Sequence, residues 1–218
     1  MNTNYTSTIE KTSAIISAIN FDELPISDYN KQYIRILKPA INFYLHIYSY
    51  CIDKGLQGLK ISYSDITLVD FGGGSGFLSI FAKKLGIGKV IYVDLNPLSV
   101  QTIELLKAKT GVGPDIILHG SSDTLAKWCL EKNISPDLLI ATDLIEHVYD
   151  LEIFFNELTG IGNSMRMIFT TASTPYNPYV KRRLHRMMRG CESGSLMTPN
   201  YYTRRLTYIR KHFAGLSE

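Results

Sequence analysis

Long apolar runs and paired cysteines are both missing from this chain of 218 residues. No run approaches the ~20 apolar residues that a helix needs to cross a bilayer, so we expect no membrane partner. The N-terminus lacks the basic-then-apolar order of a signal peptide. The cysteines are odd in number and far apart, which fits neither a zinc site nor a disulfide framework. We interpret them as reduced thiols of a cytoplasmic protein, and we expect no bound metal: Cys51, Cys129 and Cys191.

Several signatures of nucleotide binding and catalysis are also missing. A P-loop needs Gly-Lys-Ser/Thr, but Gly76 is followed by Phe77. The dinucleotide fingerprint G-x-G-x-x-G fails from Gly72, where its third position is Phe77, and from Gly74, where it is Ser79. No Gly-x-Ser-x-Gly elbow with triad partners is present. Because both dinucleotide frames fail, an NAD-dependent oxidoreductase ranks last among the functions that we consider for this chain.

A glycine loop is the most informative feature that is present. Residues 66–77 read ITLVDFGGGSGF, an apolar run that ends in Asp70 and leads through glycines into an amphipathic stretch. Strand, acid, glycine turn and helix in this order indicate a nucleotide-binding unit. A side chain in the turn would hold the ligand off the backbone, and the helix start offers free N–H groups. The glycines concerned are Gly72, Gly73, Gly74 and Gly76.

Short apolar runs alternate with helical patterns from residue 66 onward. This alternation predicts an α/β fold with a parallel sheet covered by helices on both faces, and with ligands at the carboxyl ends of the strands. A long helical pattern at 31–57 is interrupted by Pro39. We predict three parts: an N-terminal helical cap (1–60), a nucleotide-binding core (61–172) and a basic helical segment (173–218).

Polar residues follow the second, third and fourth apolar runs. Asp94, followed by Leu95, ends the second run, and a carboxylate there can accept hydrogen bonds from both hydroxyls of a ribose. Ser122 and Asp123 follow the third run, and Asp123 fits a helix cap equally well. Asp143 ends the fourth run. These positions support a bound nucleoside without identifying it.

Three motifs together resemble the class I S-adenosylmethionine (SAM)-dependent methyltransferases. They are D-x-G-x-G-x-G at 70–76, the acid Asp94, and DLIEHV at 143–148, which is similar to the ubiquinone-pathway O-methyltransferase-like group (methyltransferase type 11/12). The resemblance covers 66–170, roughly half the chain. It implies a Rossmann-like, doubly wound, mostly parallel sheet and SAM as the cofactor.

The resemblance also implies a role for each motif. The glycine loop would pass beneath the amino-acid part of SAM, with Asp70 close to its ammonium group. Asp94 and Leu95 would bind the ribose, and Ser122 and Asp123 the adenine. The catalytic residues would lie after the fourth strand: Asp143 beside the sulfonium, with Glu146 and His147 facing the pocket.

A methyl group on a sulfonium is already activated, so the protein must chiefly align the nucleophile and exclude water. His147 is the candidate base for an acceptor that must lose a proton. We expect transfer to a small-molecule acceptor, at oxygen. The tetrad Asp/Asn-Pro-Pro-Tyr/Phe of adenine amine methyltransferases is missing, since the position reads Asp143-Leu144-Ile145-Glu146.

Two alternatives come from the C-terminal segment. Residues 171–218 contain nine Lys/Arg against Glu192 and Glu218, which would suit an RNA or other nucleic-acid methyltransferase, although we do not favour a nucleic-acid partner. No alternating apolar run remains there to supply the last two strands of the family sheet. The fifth strand would be an unpaired edge, so the chain could also be a truncated or non-catalytic binding module.

Overall fold

A computed structural model describes residues 3–162, 164–172, 176–194 and 200–213. It divides into two compact units, Met1–Thr170 and Thr171–Glu218. Parts of the predicted basic segment, at 173–175, 195–199 and 214–218, lie outside the described residues. The helices and strands of the first unit are α1 (Thr3–Ser17), α2 (Asp28–Leu37), α3 (Ile41–Leu56), β1 (Thr67–Phe71), α4 (Phe77–Leu85), β2 (Lys89–Asp94), α5 (Pro97–Thr110), β3 (Ile116–His119), α6 (Ser122–Lys132), β4 (Leu138–Thr142), α7 (Leu151–Thr159) and β5 (Arg166–Thr170).

The described strands form one sheet in the order β3-β2-β1-β4-β5. Each neighbouring pair is parallel. The chain adds strands in one direction from β1 to β3 and then returns to the other side of β1 with β4. This confirms the doubly wound parallel sheet predicted from the sequence. The carboxyl ends of β1 and β4 therefore flank the switch point, where ligands bind in such folds.

Alternate residues of the strands pack into two separate cores, because side chains in a strand point to opposite faces. Leu68 and Leu138 face a core built with α1 to α5. Val69 and Leu139 face a second core, built with α6 and α7. All four side chains are fully buried. Burial on both faces explains why the strands read as nearly continuous apolar runs.

The long helical pattern of the N-terminal cap is divided near Pro39. The α-helix α2 ends at Leu37, a 3-10 turn spans Lys38–Ala40, and α3 begins at Ile41. Proline cannot donate the backbone hydrogen bond that a continuous α-helix would need there. The break separates α2 from α3, and both helices then contribute to the first core.

Strand β5 lies at one edge of the described sheet. Arg166, at its start, donates hydrogen bonds to the carbonyl oxygens of Gly55 (3.0 Å) and Gln57 (2.6 Å). These two carbonyls stand at the end of α3, where backbone acceptors lack partners within the helix. These hydrogen bonds connect the end of α3, in the N-terminal cap, to the edge strand β5.

The second unit contains α8 (Pro178–Ser193) and α9 (Tyr201–His212). Asn177 and Asn200 cap the two helices by accepting hydrogen bonds from backbone N–H groups of the first turn. Arg205 of α9 forms an ion pair with Glu192 of α8. Among the residues of this unit whose exposure the structure describes, which leaves out Cys191 of α8, no side chain is fully buried. Across the described residues of both units, no helix is long and apolar enough to cross a membrane.

Candidate active site

A cavity of about 750 Å³ opens at the carboxyl ends of β1 to β4. Its volume lies within the range of small-ligand sites, about 300–1,000 Å³. Each of the four strands contributes its last residues or the first residues of the following loop. These are Phe71, Gly72, Gly74, Val93, Asp94, Leu95, Asn96, Gly120, Ser121, Ser122, Thr142 and Asp143.

The glycine loop forms the floor of the cavity. Gly72 has a φ of +67°, and a Cβ there would run into the side chain of Leu144. Gly74 lines the cavity, and the nearest atoms to a Cβ on it belong to the ring of Tyr33, at 3.6 and 3.7 Å. Gly73 and Gly76 are not among the described lining residues. A Cβ on either would meet side chains behind the loop, so these two glycines serve loop packing.

Asp94 fixes the loop and remains available to a ligand. Its Oδ2 accepts a hydrogen bond from the Gly74 N–H (2.8 Å), and its Oδ1 accepts one from the Asn96 N–H (2.8 Å). Tyr92 donates its hydroxyl to the Gly74 carbonyl at 2.8 Å. An ionised carboxylate has about four acceptor positions. Asp94 can therefore also accept hydrogen bonds from ligand hydroxyls in the cavity.

Asp70 lies behind the loop and is not among the described lining residues. Its carboxylate is buried and accepts hydrogen bonds from the Ser79 backbone N–H (3.0 Å) and hydroxyl (2.6 Å). Burial raises the pKa of Asp70 to about 7, against the lowering effect of the Ser79 hydrogen bonds; the nearby Asp94 charge raises it further. This position ties the end of β1 to the first turns of α4.

The loop after β4 supplies another wall. Asp143 lines the cavity with a φ of +52°, and its N–H donates to the Thr170 carbonyl at 2.9 Å. The short 3-10 helix Ile145–His147 brings His147 to the same wall. Glu146 is not among the described lining residues. Of the predicted catalytic group, the structure thus brings Asp143 and His147 together at the cavity.

Ser122 and Asp123 are the first two residues of α6, but only Ser122 is among the described residues that line the cavity. Ser122 lines the cavity and donates its hydroxyl to the Glu157 carboxylate at 2.6 Å; Glu157 is also a lining residue. Asp123 is not among the described lining residues, and its carboxylate pairs with Lys127 one helical turn later, at 2.9 Å. At the start of α6 the Thr124 hydroxyl, and not the predicted Asp123, caps the helix by accepting a hydrogen bond from the Ser121 N–H.

Sequence reasoning missed the aromatic wall of the cavity. It comes from the cap helices α2 and α3. The aromatic residues of the long helical pattern at 31–57 favour a packed helix over the wall of a pocket when only the sequence is considered. Tyr33 is 41% exposed, and the partial burial of its side chain raises the pKa of its hydroxyl to about 12, so the hydroxyl stays protonated. The lining residues from this wall are Tyr29, Asn30, Tyr33, Ile36, Leu37, Tyr44 and Tyr48.

These features fit a bound nucleoside. The side-chain-free surface at Gly74 leaves room for a ligand to approach the backbone. Asp94 provides a hydroxyl acceptor beside it, and the apolar and aromatic walls can enclose a purine and exclude water.

Comparison with known proteins identifies the class. Residues 51–158 match the family model for ribosomal protein L11 methyltransferase (PrmA). The ribosomal protein L11 methyltransferase of Yersinia pseudotuberculosis serotype IB is 30% identical over 99 residues, 45% of this chain and 32% of the relative. That of Tolumonas auensis is 36% identical over 78 residues, 36% of this chain and 25% of the relative. The chain thus spans a quarter to a third of the length of these curated relatives.

A solved structure of ribosomal protein L11 methylase from Lactobacillus delbrueckii subsp. bulgaricus is 26% identical to this chain. It matches 57% of this chain and 59% of its own, with a TM-score of 0.42. The chain belongs to the class I SAM-dependent methyltransferases, and SAM is the cofactor that this class uses. The predicted small-molecule acceptor is wrong, because the relatives that share this core are named for a protein acceptor.

Proposed function

We propose that this chain transfers a methyl group from SAM to an acceptor group on a protein. The proposal is based mainly on the contact between the glycine loop and Asp94 inside one cavity. Gly74 and Asp94 share a hydrogen bond of 2.8 Å, and both line the cavity at the switch point of the sheet. Loop and acid are thus one unit, suited to hold the amino-acid and ribose parts of the same ligand.

The proposed chemistry is a single in-line displacement. When bound, SAM supplies the activated methyl group, and the protein aligns the acceptor and excludes water. The walls from α2, α3 and the loop after β4 would enclose the reacting atoms. We propose His147, which lines the cavity beside the Asp143 loop, as the group that takes a proton from the acceptor.

The protein acceptor rests on the names of the relatives, each called ribosomal protein L11 methyltransferase. Ribosomal protein L11 is therefore the first acceptor to try. Purified chain is incubated with SAM carrying a tritiated methyl group and either L11 or total RNA. Label in L11 supports the proposal. Label in RNA alone would favour the nucleic-acid alternative, and tight SAM binding without label in either would favour a binding module.

Cofactor binding is tested separately by calorimetry with Asp94→Ala. This change removes the hydrogen bonds that Asp94 accepts from the N–H groups of Gly74 and Asn96, and it also removes the proposed ribose acceptor, so we expect SAM affinity to fall at least about tenfold. Asp123→Ala is the matched control, because this acid follows the next strand but is not among the described lining residues. Equal affinities in both variants and the parent would refute the site.

A further inference from the structure

Helix α2 contributes a wall to the cavity but precedes the residues that match the family model, which begin at residue 51. The role of this wall must therefore be inferred from the contacts of α2 itself. Tyr29, Asn30, Tyr33 and Leu37 all line the cavity. Tyr33 follows Tyr29 by four residues and Asn30 by three, and Leu37 follows Tyr33 by four, which places these residues on neighbouring turns of one side of the helix.

A buried amide holds α2 in place. The Asn30 side chain is 3% exposed, and its Nδ2 donates hydrogen bonds to the Leu98 carbonyl (2.7 Å) and the Thr102 hydroxyl (2.8 Å) of α5. Buried polar groups that lose such partners cost free energy, so this contact defines the rotation of α2 about its axis. Tyr33 follows on the next turn and is thereby directed to the cavity.

Tyr33 lies directly over the floor of the site. The Cε1 and hydroxyl oxygen of its ring are 3.6 and 3.7 Å from the position of a Cβ on Gly74. Gly74 also donates its N–H to Asp94, and Asp94, Asp143 and Tyr33 all line the same cavity. The ring therefore lies beside the glycine loop, in the cavity that also contains the acid proposed for the ribose and the acid that follows β4.

In SAM the sulfur atom joins the ribose to the amino-acid part. With the ribose at Asp94 and the amino-acid part over the glycine loop, the sulfur must lie where these two parts meet, which is the position that Tyr33 covers. We propose that the Tyr33 ring recognises the positively charged sulfonium, so that the site discriminates SAM from the demethylated product. This inference rests on the proposed function.

The physical basis is the attraction between a cation and the face of an aromatic ring. SAM carries a sulfonium, whereas S-adenosylhomocysteine has a neutral thioether and keeps every other charged group. A ring that attracts the sulfonium therefore strengthens binding of the donor and not of the product. Tyr33 would bind the cofactor directly and favour product release after transfer.

The test measures the affinities of both ligands by calorimetry. Tyr33→Leu removes the ring and keeps a helix-forming side chain of similar bulk. We expect its Kd for SAM to rise about fivefold to tenfold, and its Kd for S-adenosylhomocysteine to stay within about twofold of the parent. Tyr33→Phe keeps the ring and should keep both affinities. Tyr50→Leu is the control, since Tyr50 is an exposed tyrosine of α3 that is not among the described lining residues.

Thermal unfolding checks that each variant is folded. If Tyr33→Leu does not fold, Tyr33→Gln serves as the second variant without a ring. Equal losses for SAM and S-adenosylhomocysteine would mean that the ring only packs against the cofactor, and would overturn the inference. If both ringless variants keep the parent's affinities for SAM and S-adenosylhomocysteine, the inference is also overturned, but the proposed function is not affected. A parent protein that binds neither ligand would overturn both.

Discussion

The buried acid behind the glycine loop makes the stability of the first unit depend on pH. Burial raises the pKa of Asp70 from an ordinary value of 3.8 to about 7. In the unfolded chain the carboxyl ionises near its ordinary value, so between these two pH values the folded protein binds more protons. The free energy of unfolding must then fall as the pH rises from about 4 to about 7, and Asp70 adds no further change above that range.

The size of the effect follows from the interval. One pH unit corresponds to about 1.4 kcal/mol, so the interval of about three units corresponds to about 4 kcal/mol. Asp70→Asn keeps the shape of the side chain and an oxygen for Ser79, and it removes the titration. The difference in stability between variant and parent should therefore shift by about 4 kcal/mol in favour of the variant between pH 4 and pH 8.

The assay is urea unfolding at a series of pH values. Trp128 is the single tryptophan of the chain and packs against the second core, so its fluorescence reports on the first unit. Comparing variant with parent cancels the titration of all other groups. Asp53→Asn, at an exposed acid of α3, is the matched control for the loss of one carboxylate outside the core. A difference for Asp70→Asn that stays within about 1 kcal/mol over the range would refute the reasoning.

Two further predictions concern the cavity. Gly72→Ala should weaken SAM binding and destabilise the protein by about 1–3 kcal/mol more than Gly58→Ala. Both glycines have a positive φ, but only the Cβ at residue 72 meets a neighbouring side chain; equal unfolding midpoints would contradict this. For an acceptor that must lose a proton, His147→Ala should lower the turnover at least about tenfold and leave the affinity for SAM unchanged. His46→Ala is the control, because His46 lies on an exposed part of α3, and it should change neither quantity. Full activity of His147→Ala would exclude its proposed role as a base.

The parallel sheet could be predicted because its signal is local. Each strand is a short apolar run, and an acid or a glycine lies at the end of the first four; Asp94 and Asp143 line the cavity at two of these ends. The aromatic wall could not be predicted, because Tyr33 and Asn30 face the cavity only through contacts with residues far along the chain. Asp123 differs from these two residues, because its partner Lys127 is only four residues away on α6. A position just after β3 did not distinguish a residue that lines the cavity from one that pairs along its own helix.

The hydrogen bonds that hold the cap have a consequence for the order of folding. Asn30 bonds to Thr102 across 72 residues of sequence, and Arg166 bonds to Gly55 across 111. We expect such distant contacts to form late in folding, because the loss of chain entropy precedes the gain from the bond. Helices α2 and α3 would then reach their final positions only after α5 and β5 have formed. We therefore expect the aromatic wall to be one of the last parts of the site to assemble.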